Sequence, residues 1–445
     1  MFLCDSINNV IFRILSRCEK ERPMKFNAKR EFDLLNKIGF VRTSGSCEEK
    51  KAADILLEEI KSIGLKGEIE PFKVDYYEIK KAKFEVLEPY YMEYTVTGYG
   101  MSGNTPEEGL ECEFEYVESA DMVNLINVKD KIVLINSGFG MKNYENLIKT
   151  GVKGFISFSG TVIDDESKTD LEDRKLRDKH LEHGKIPGLT LRAKDAMEIV
   201  KNMPTKVRMT LEQIEGECDS HNVIATIKGS MYENEEIHFV AHYDSVPFSN
   251  GVYDNGAGSV IIMELLRHYH ENTPKRTLKF IWFGSEERGL LGSKYYTTTH
   301  EEELKNVVLA INVDMAGPIL GTNKAFVTAD NSLCNMVEYM SKEIGFPISV
   351  AQDVYSSDST PYADKGVPAI SFARFGANGG APGHNRYDLI EHLSAENICN
   401  LTKFIHVFSE RTVNACVFPV PREIPQNMID AVDKYLMKDK KKENK

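Results

Sequence analysis

The sequence predicts an α/β fold: a mixed, mostly parallel central sheet flanked by helices, with a mainly β segment inserted into it. Three observations lead there. From about residue 222, short apolar runs alternate with helical patterns, the rhythm of a parallel sheet with crossover helices. Several of these runs end on a histidine or an acid, and open α/β sheets gather their chemistry beyond the carboxyl ends of their strands. Between about 84 and 215 the texture is different, with short β-like runs and Glu-rich turns.

Residues 27 to 70 read as two helices and the entry to a strand. The second helix has clear punctuation: Ser46 and Glu49 form a capping-box pattern, Ala52, Ala53, Leu56, Leu57, Ile60 and Ile63 recur at helical spacing, and Gly64 stops it. In the inserted stretch, Lys131 to Ile135 reads as a strand and Gly154 to Phe158 as an apolar run, while the charged run from Asp164 to His183 reads as a solvated excursion or lid. After 222, the strand Ile237 to Ala241 delivers His242, and a helix is expected over 256–270. The strand Leu278 to Phe283 then delivers Glu286 and Glu287, and Val307 to Val313 delivers Asp314. The alternation closes with the strand Pro368 to Phe372. The divisions expected are an N-terminal extension (1–26), a main domain made of 27–90 and 216–432, an insert (91–215), and a basic tail (433–445) for which disorder is the default.

Length and composition narrow the function. A chain of 445 residues is too long for one ordinary core, and 42% hydrophobic residues suffice for buried interiors. A net charge of −13 argues against a nucleic-acid partner, which requires a concentrated basic face. The eight cysteines are scattered without a C-x-x-C pair, the pattern of reduced thiols in a cytoplasmic protein. Near the N-terminus, Val10-Ile11-Phe12 and Ile14-Leu15 are broken by Arg13, Arg17 and Arg22, so no secretory h-region is seen. No run reaches the ~18 apolar residues of a membrane span, and no membrane partner is expected.

The chemistry concentrates between 242 and 384. His242 and Asp244 stand two apart at a strand terminus, on one face, so the acid can orient the imidazole. Alone that pair specifies little. Asp254, in Asp254-Asn255-Gly256-Ala257-Gly258, could be no more than a helix N-cap; its place directly after the strand of His242 suits a carboxylate that bridges two cations. Glu286 and Glu287 could be a solvated helix start favoured by the macrodipole. Adjacent acids after an apolar strand also suit a metal ligand beside a general base. Asp314 ends another buried strand, and His384 sits on the glycine-rich loop Gly379 to Gly383. The remaining histidines, His268 and His406 among them, read as surface or packing residues. The six partition symmetrically: His242 and Asp314 for one metal, Glu287 and His384 for another, Asp254 shared, Glu286 as base. Three ligand carboxylates and one hydroxide would neutralise two Zn²⁺ ions.

The order His-x-Asp, Asp-Asn-Gly-Ala-Gly, Glu-Glu-x-Gly-Leu-x-Gly-Ser, Asp-Met and Gly-His resembles the di-zinc aminopeptidases of the aminopeptidase S and aminopeptidase Y type. That family also contains glutamate carboxypeptidase II, glutaminyl cyclase-like proteins and the non-catalytic transferrin receptor. The resemblance covers about 27–90 and 218–410, and the texture of the insert resembles a protease-associated domain. It implies a zinc exopeptidase fold and two zinc ions on His242, Asp254, Glu287, Asp314 and His384. It also implies Glu286 as general base, Asp244 as the residue behind His242, and a cis peptide at Asp254-Asn255. The implied activity is hydrolysis of the N-terminal peptide bond of a peptide substrate by a water held between the two ions. At Ser357-Asp358-Ser359 this chain departs from relatives that carry a His after the Asp, which leaves Tyr355 as a candidate for the group that steadies the oxyanion. Three alternatives remain: a carboxypeptidase, with Arg374 and Arg386 for a free carboxylate, a glutaminyl cyclase-like enzyme, or a receptor-like binding module.

Overall fold

The computed structural model describes residues 26–136 and 140–438. The expected N-terminal extension, except residue 26, and the last residues of the basic tail lie outside the described residues; residues 433–435 belong to a helix, Gln426–Tyr435.

The chain forms two compact units, one from residues up to 70 and from 221 onward, the other Pro71–Ser220. Both crossings fall inside long strands, Gly67–Glu88 and Lys206–Ile227. Each strand runs straight through its crossing, whereas the change of texture suggests 90 and 215. The second unit is built chiefly of strands around two apolar clusters, with helices Met141–Thr150 and Ala193–Asn202. Its charged run carries a short helix, Asp178–Leu181.

The first unit holds the sheet that matters for function. Its strands are β1 (Lys206–Ile227, through its last residues), β2 (Tyr232–His242), β3 (Arg276–Phe283), β4 (Val307–Val313), β5 (Gly321–Thr328), β6 (Ser349–Gln352) and β7 (Ala369–Gly376). Their spatial order is β6-β5-β7-β4-β2-β3-β1. β2 pairs in parallel with β3 and β4, and β4 with β7, while β1 and β5 run antiparallel to their neighbours β3 and β7. Every residue of β4 is buried, as a strand covered on both faces requires.

The helices of the first unit include α1 (Ala28–Ile38), α2 (Cys47–Ser62), α3 (Ala257–Glu271), α4 (Leu291–Thr299), α5 (Asn331–Ile344), α6 (Ser359–Asp364) and α7 (Ala395–Val413). Each of α1, α2, α5 and α7 begins with a side-chain cap, from Asn27, Ser46, Asp330 and Ser394. α1, α2, α3, α5 and α7 build the largest core cluster together with the apolar faces of the strands. Parallel register puts His242 beside Phe283 and Val240 beside Asn312. The residues just past β2, β3 and β4 therefore meet at one edge. Among the described residues no helix is long and apolar enough to cross a membrane.

Candidate metal centre

His242 closes β2 and is 1% exposed. Its Nε2 lies 3.2 Å from Asp254 Oδ1 and 3.4 Å from Asp314 Oδ1. The other oxygen of Asp254, Oδ2, is 3.0 Å from Nε2 of His384, which is 3.2 Å from Glu287 Oε2. Two donor groups result, His242 with Asp254 and Asp314, and Asp254 with Glu287 and His384, each with its ligand atoms within 4.8 Å of one another. Asp254 belongs to both, one oxygen to each. Glu286 joins His242 and Glu287 in a third overlapping group. All six residues singled out between 242 and 384 are thus brought to one place.

Local hydrogen bonding explains why these loops hold their shape. The peptide Asp254-Asn255 is cis. Asn255 donates to the carbonyl of Val313 (2.8 Å) and accepts from the N–H groups of Gly258 (2.9 Å) and Met315 (3.1 Å), so one side chain joins the end of β4 to the first turn of α3. A Cβ on Gly258 would stand 2.3 Å from that same carbonyl, which makes glycine necessary there. Asp388 accepts from the backbone N–H of Tyr253 (2.8 Å) and Asp254 (3.2 Å). Asp244 faces Nδ1 of His242 at 3.4 Å, and its two oxygens accept the backbone N–H groups of Glu286 (3.0 Å) and Glu287 (3.2 Å). It therefore fixes the glutamate turn as well as the imidazole.

The electrostatics are those of too many acids for their own cations. Burial, then Asp254, pushes the Glu287 carboxyl up to about 7, and burial, Glu287 and Asp358 lift that of Glu286 well above the carboxylate range. Burial opposes charge on His242, yet Glu286, Asp244, Asp254 and Asp314 outweigh it and raise its pKa far above the usual value. Hydrogen bonds to Asp254 and Glu287 lift His384 to about 11. Buried Glu287 Oε1 and Asp314 Oδ1 have no hydrogen-bond partner. Unpaired carboxylate oxygens converging with imidazole nitrogens are the donor set of zinc. A divalent cation in each group would relieve both the like-charge repulsion and the orphaned oxygens.

Several residues that shape the site carry no motif. Arg42, 0% exposed, donates to the carbonyls of Tyr243, Phe40 (3.0 Å), Asn250 (2.6 Å) and Gly251 (2.7 Å), and so clamps the loop between Asp244 and Asp254. Glu49 accepts from the N–H of Gly45 (2.7 Å) with one oxygen and from the N–H (3.0 Å) and hydroxyl (3.2 Å) of Ser285 with the other. Ser285, at φ +56°, directly precedes Glu286. Ser46 caps Glu49 N–H as the capping box predicts (3.0 Å); nothing in that pattern announces the second attachment. Tyr355 stacks on Phe326 and donates to the sulfur of Met315 (3.2 Å). Burial and the nearby Asp314, Asp254 and Glu286 raise its pKa, which keeps the hydroxyl protonated.

Residues 222–409 match the sequence profile of peptidase family M28. Carboxypeptidase Q of Bos taurus is 27% identical over 351 residues, covering 74% of this chain and 73% of that protein. Aminopeptidase YwaD of Bacillus subtilis is 26% identical over 413 residues, covering 85% and 83%. Among solved structures, the zinc aminopeptidase BSAP from Bacillus subtilis superposes with a TM-score of 0.76 at 23% identity over 91% of this chain and all of that one. The aminopeptidase from Aneurinibacillus sp. strain AM-1 gives 0.71 at 21% over 89% and 96%. At those identities the likeness is one of fold. The matched segment, residues 222–409, is the part of the chain that belongs with peptidase family M28, and it spans His242 to His384, every member of the two donor groups.

Proposed function

We propose that the chain is a metallo-aminopeptidase that hydrolyses the N-terminal peptide bond of peptides, with His242 and Asp314 holding one zinc ion, Glu287 and His384 a second, and Asp254 shared between them. The observation that carries this reading is the two-sided contact of Asp254, one oxygen toward His242 and the other toward His384. Bound zinc supplies a Lewis acid for the scissile carbonyl and lowers the pKa of a bound water from ~15.7 to about 7. Glu286 takes the proton of the attacking water on its carboxylate and returns it to the leaving amine. Asp244 keeps Glu286 in place through the backbone bonds it accepts. The hydroxyl of Tyr355, whose partner is only a thioether, can turn to donate to the oxyanion. We also read Pro71–Ser220 as the inserted protease-associated domain.

The guanidinium of Arg374 donates to the carbonyls of Pro318 (2.8 Å) and Ile319 (3.4 Å) and to Asn323 Oδ1 (3.2 Å). Three of its five N–H donors are therefore engaged in holding the Pro318–Asn323 segment. The carboxypeptidase Q relatives and the exposed Arg386 beside His384 favour a second reading, a carboxypeptidase. A panel of aminoacyl, N-blocked and C-terminal peptide substrates, assayed with and without chelator, separates the two. Cleavage of free-amine substrates only, lost on chelation and restored by zinc, is expected. Release of C-terminal residues from N-blocked peptides would establish the carboxypeptidase, and a metal-loaded protein that cleaves nothing would establish a binding module.

A further inference from the structure

We infer that the first unit carries a separate divalent-metal site formed by His268 of α3 with His406 and Glu410 of α7. The three donor atoms converge within 4.8 Å. Nε2 of His406 is 2.8 Å from Nε2 of His268 and 3.7 Å from Glu410 Oε1. His406 and Glu410 are four apart on one helix, the spacing that stacks side chains on one face, and His268 meets them from the facing helix. The other oxygen of Glu410 accepts from Asn414 (2.8 Å), which orients the carboxylate.

Facing Nε2 atoms require one ring to donate and the other to accept, so a single proton lies between them. A cation of the zinc class replaces that contact, and in a tetrahedral site with Zn–N about 2.0–2.1 Å the two nitrogens would stand roughly 3.3 Å apart. The rings need separate by only about half an ångström. In the metal-bound form each neutral ring carries its proton on the far nitrogen; Nδ1 of His406 is buried with no hydrogen-bond partner, a cost that the metal–nitrogen bond has to exceed. Burial lowers the pKa of both imidazoles, that of His406 to about 3, so they are in the neutral form that binds metals. Phe26 covers one side, 5.4 Å from the His268 ring and 5.1 Å from that of His406, while the Glu410 side chain, 33% exposed, leaves a way in from solvent. Along α3 the site is roughly 17 Å from the helix start beside Asp254, so it shares no ligand with the centre described above. Its occupant would tie the last turn of α3 to α7.

The test is zinc content per chain after dialysis against Zn²⁺, for the full-length protein and for His268→Gln and His406→Gln, each checked for folding without metal. A loss of one equivalent in either variant, with peptidase activity kept and the zinc-induced rise in melting temperature reduced, is expected. The readout is that difference, whatever the total, so it stands apart from the count at the Asp254 centre. Should His406→Gln fail to fold, the more exposed His268→Gln decides. Unchanged zinc content in a folded variant would overturn the assignment.

Discussion

Replacing Glu49 tests whether the helix preceding the second unit helps to place the general base. Alanine removes the acceptor of three donors: the N–H of Gly45 at 2.7 Å, and the N–H and hydroxyl of Ser285 at 3.0 and 3.2 Å. Hydrogen bonds to a charged partner contribute about 1.5–3 kcal/mol each, and stranding a buried N–H costs about 1–3 kcal/mol. These terms overlap, so a stability loss of roughly 3–5 kcal/mol is expected. The kinetic effect follows from position. Ser285 sits in the left-handed region one residue before Glu286, and a base displaced by ~1 Å loses on the order of 10²-fold in rate. Glu49→Gln keeps an oxygen toward Ser285 and turns an amide toward Gly45 N–H, so it should fold less stably yet retain most of its turnover. The assay is steady-state kinetics with a free-amine substrate, below the melting temperature of each variant, with zinc content measured in parallel. Glu49→Ala is predicted to lower kcat about 10²-fold at nearly constant KM with zinc retained. Wild-type kcat in a folded Glu49→Ala, or activity lost only in proportion to zinc, would refute the positioning argument.

Three further outcomes follow. Glu286→Gln should keep its metal and lose roughly 10²–10⁴-fold in kcat, the scale of general-base catalysis; pre-steady-state and steady-state rates on the same preparation check it. Asp254→Ala should lose zinc as well as activity, because its two oxygens face both donor groups; metal analysis after dialysis reads it directly. Glu31 of α1 lies 1% exposed against α7, and burial raises its carboxyl from 4.5 to about 8 despite the hydrogen bond from Thr402. The folded chain therefore holds a proton that the unfolded chain releases between about pH 4.5 and 8, so this group's contribution to stability is full below that window and falls as pH rises through it. The span of about 3.5 pH units sets an upper bound of ~5 kcal/mol. Denaturant midpoints across pH 5–9 should fall less steeply for Glu31→Gln than for the parent, and parallel curves would contradict the assignment.

What the sequence shows well is what repeats along the chain. Apolar strands followed by His242, the Glu286-Glu287 pair or Asp314 are legible because strand, turn and side chain are neighbours in sequence, and parallel register alone brings their ends together. The bridging place of Asp254 is legible from its position directly after the strand of His242, the cis peptide after it only through the resemblance, and the structure shows the cis bond and the two-sided contact. The supports are illegible for the opposite reason. Arg42 acts on a loop some 200 residues away, and Glu49 on Ser285 across a separation of 236; in sequence one is an arginine before a helix and the other a capping residue. Asp388 lies four residues after His384, yet only folding shows that it accepts the backbone of Asp254. The unit boundaries at 70 and 220 were hidden because each falls within a continuous strand.

The most direct test of the central claim is an anomalous difference map at the zinc edge from crystals of the zinc-loaded protein. The account predicts two peaks flanking Asp254, one among His242, Asp254 and Asp314 and the other among Asp254, Glu287 and His384. A single peak, or density that leaves Asp254 bound on one oxygen only, would contradict it.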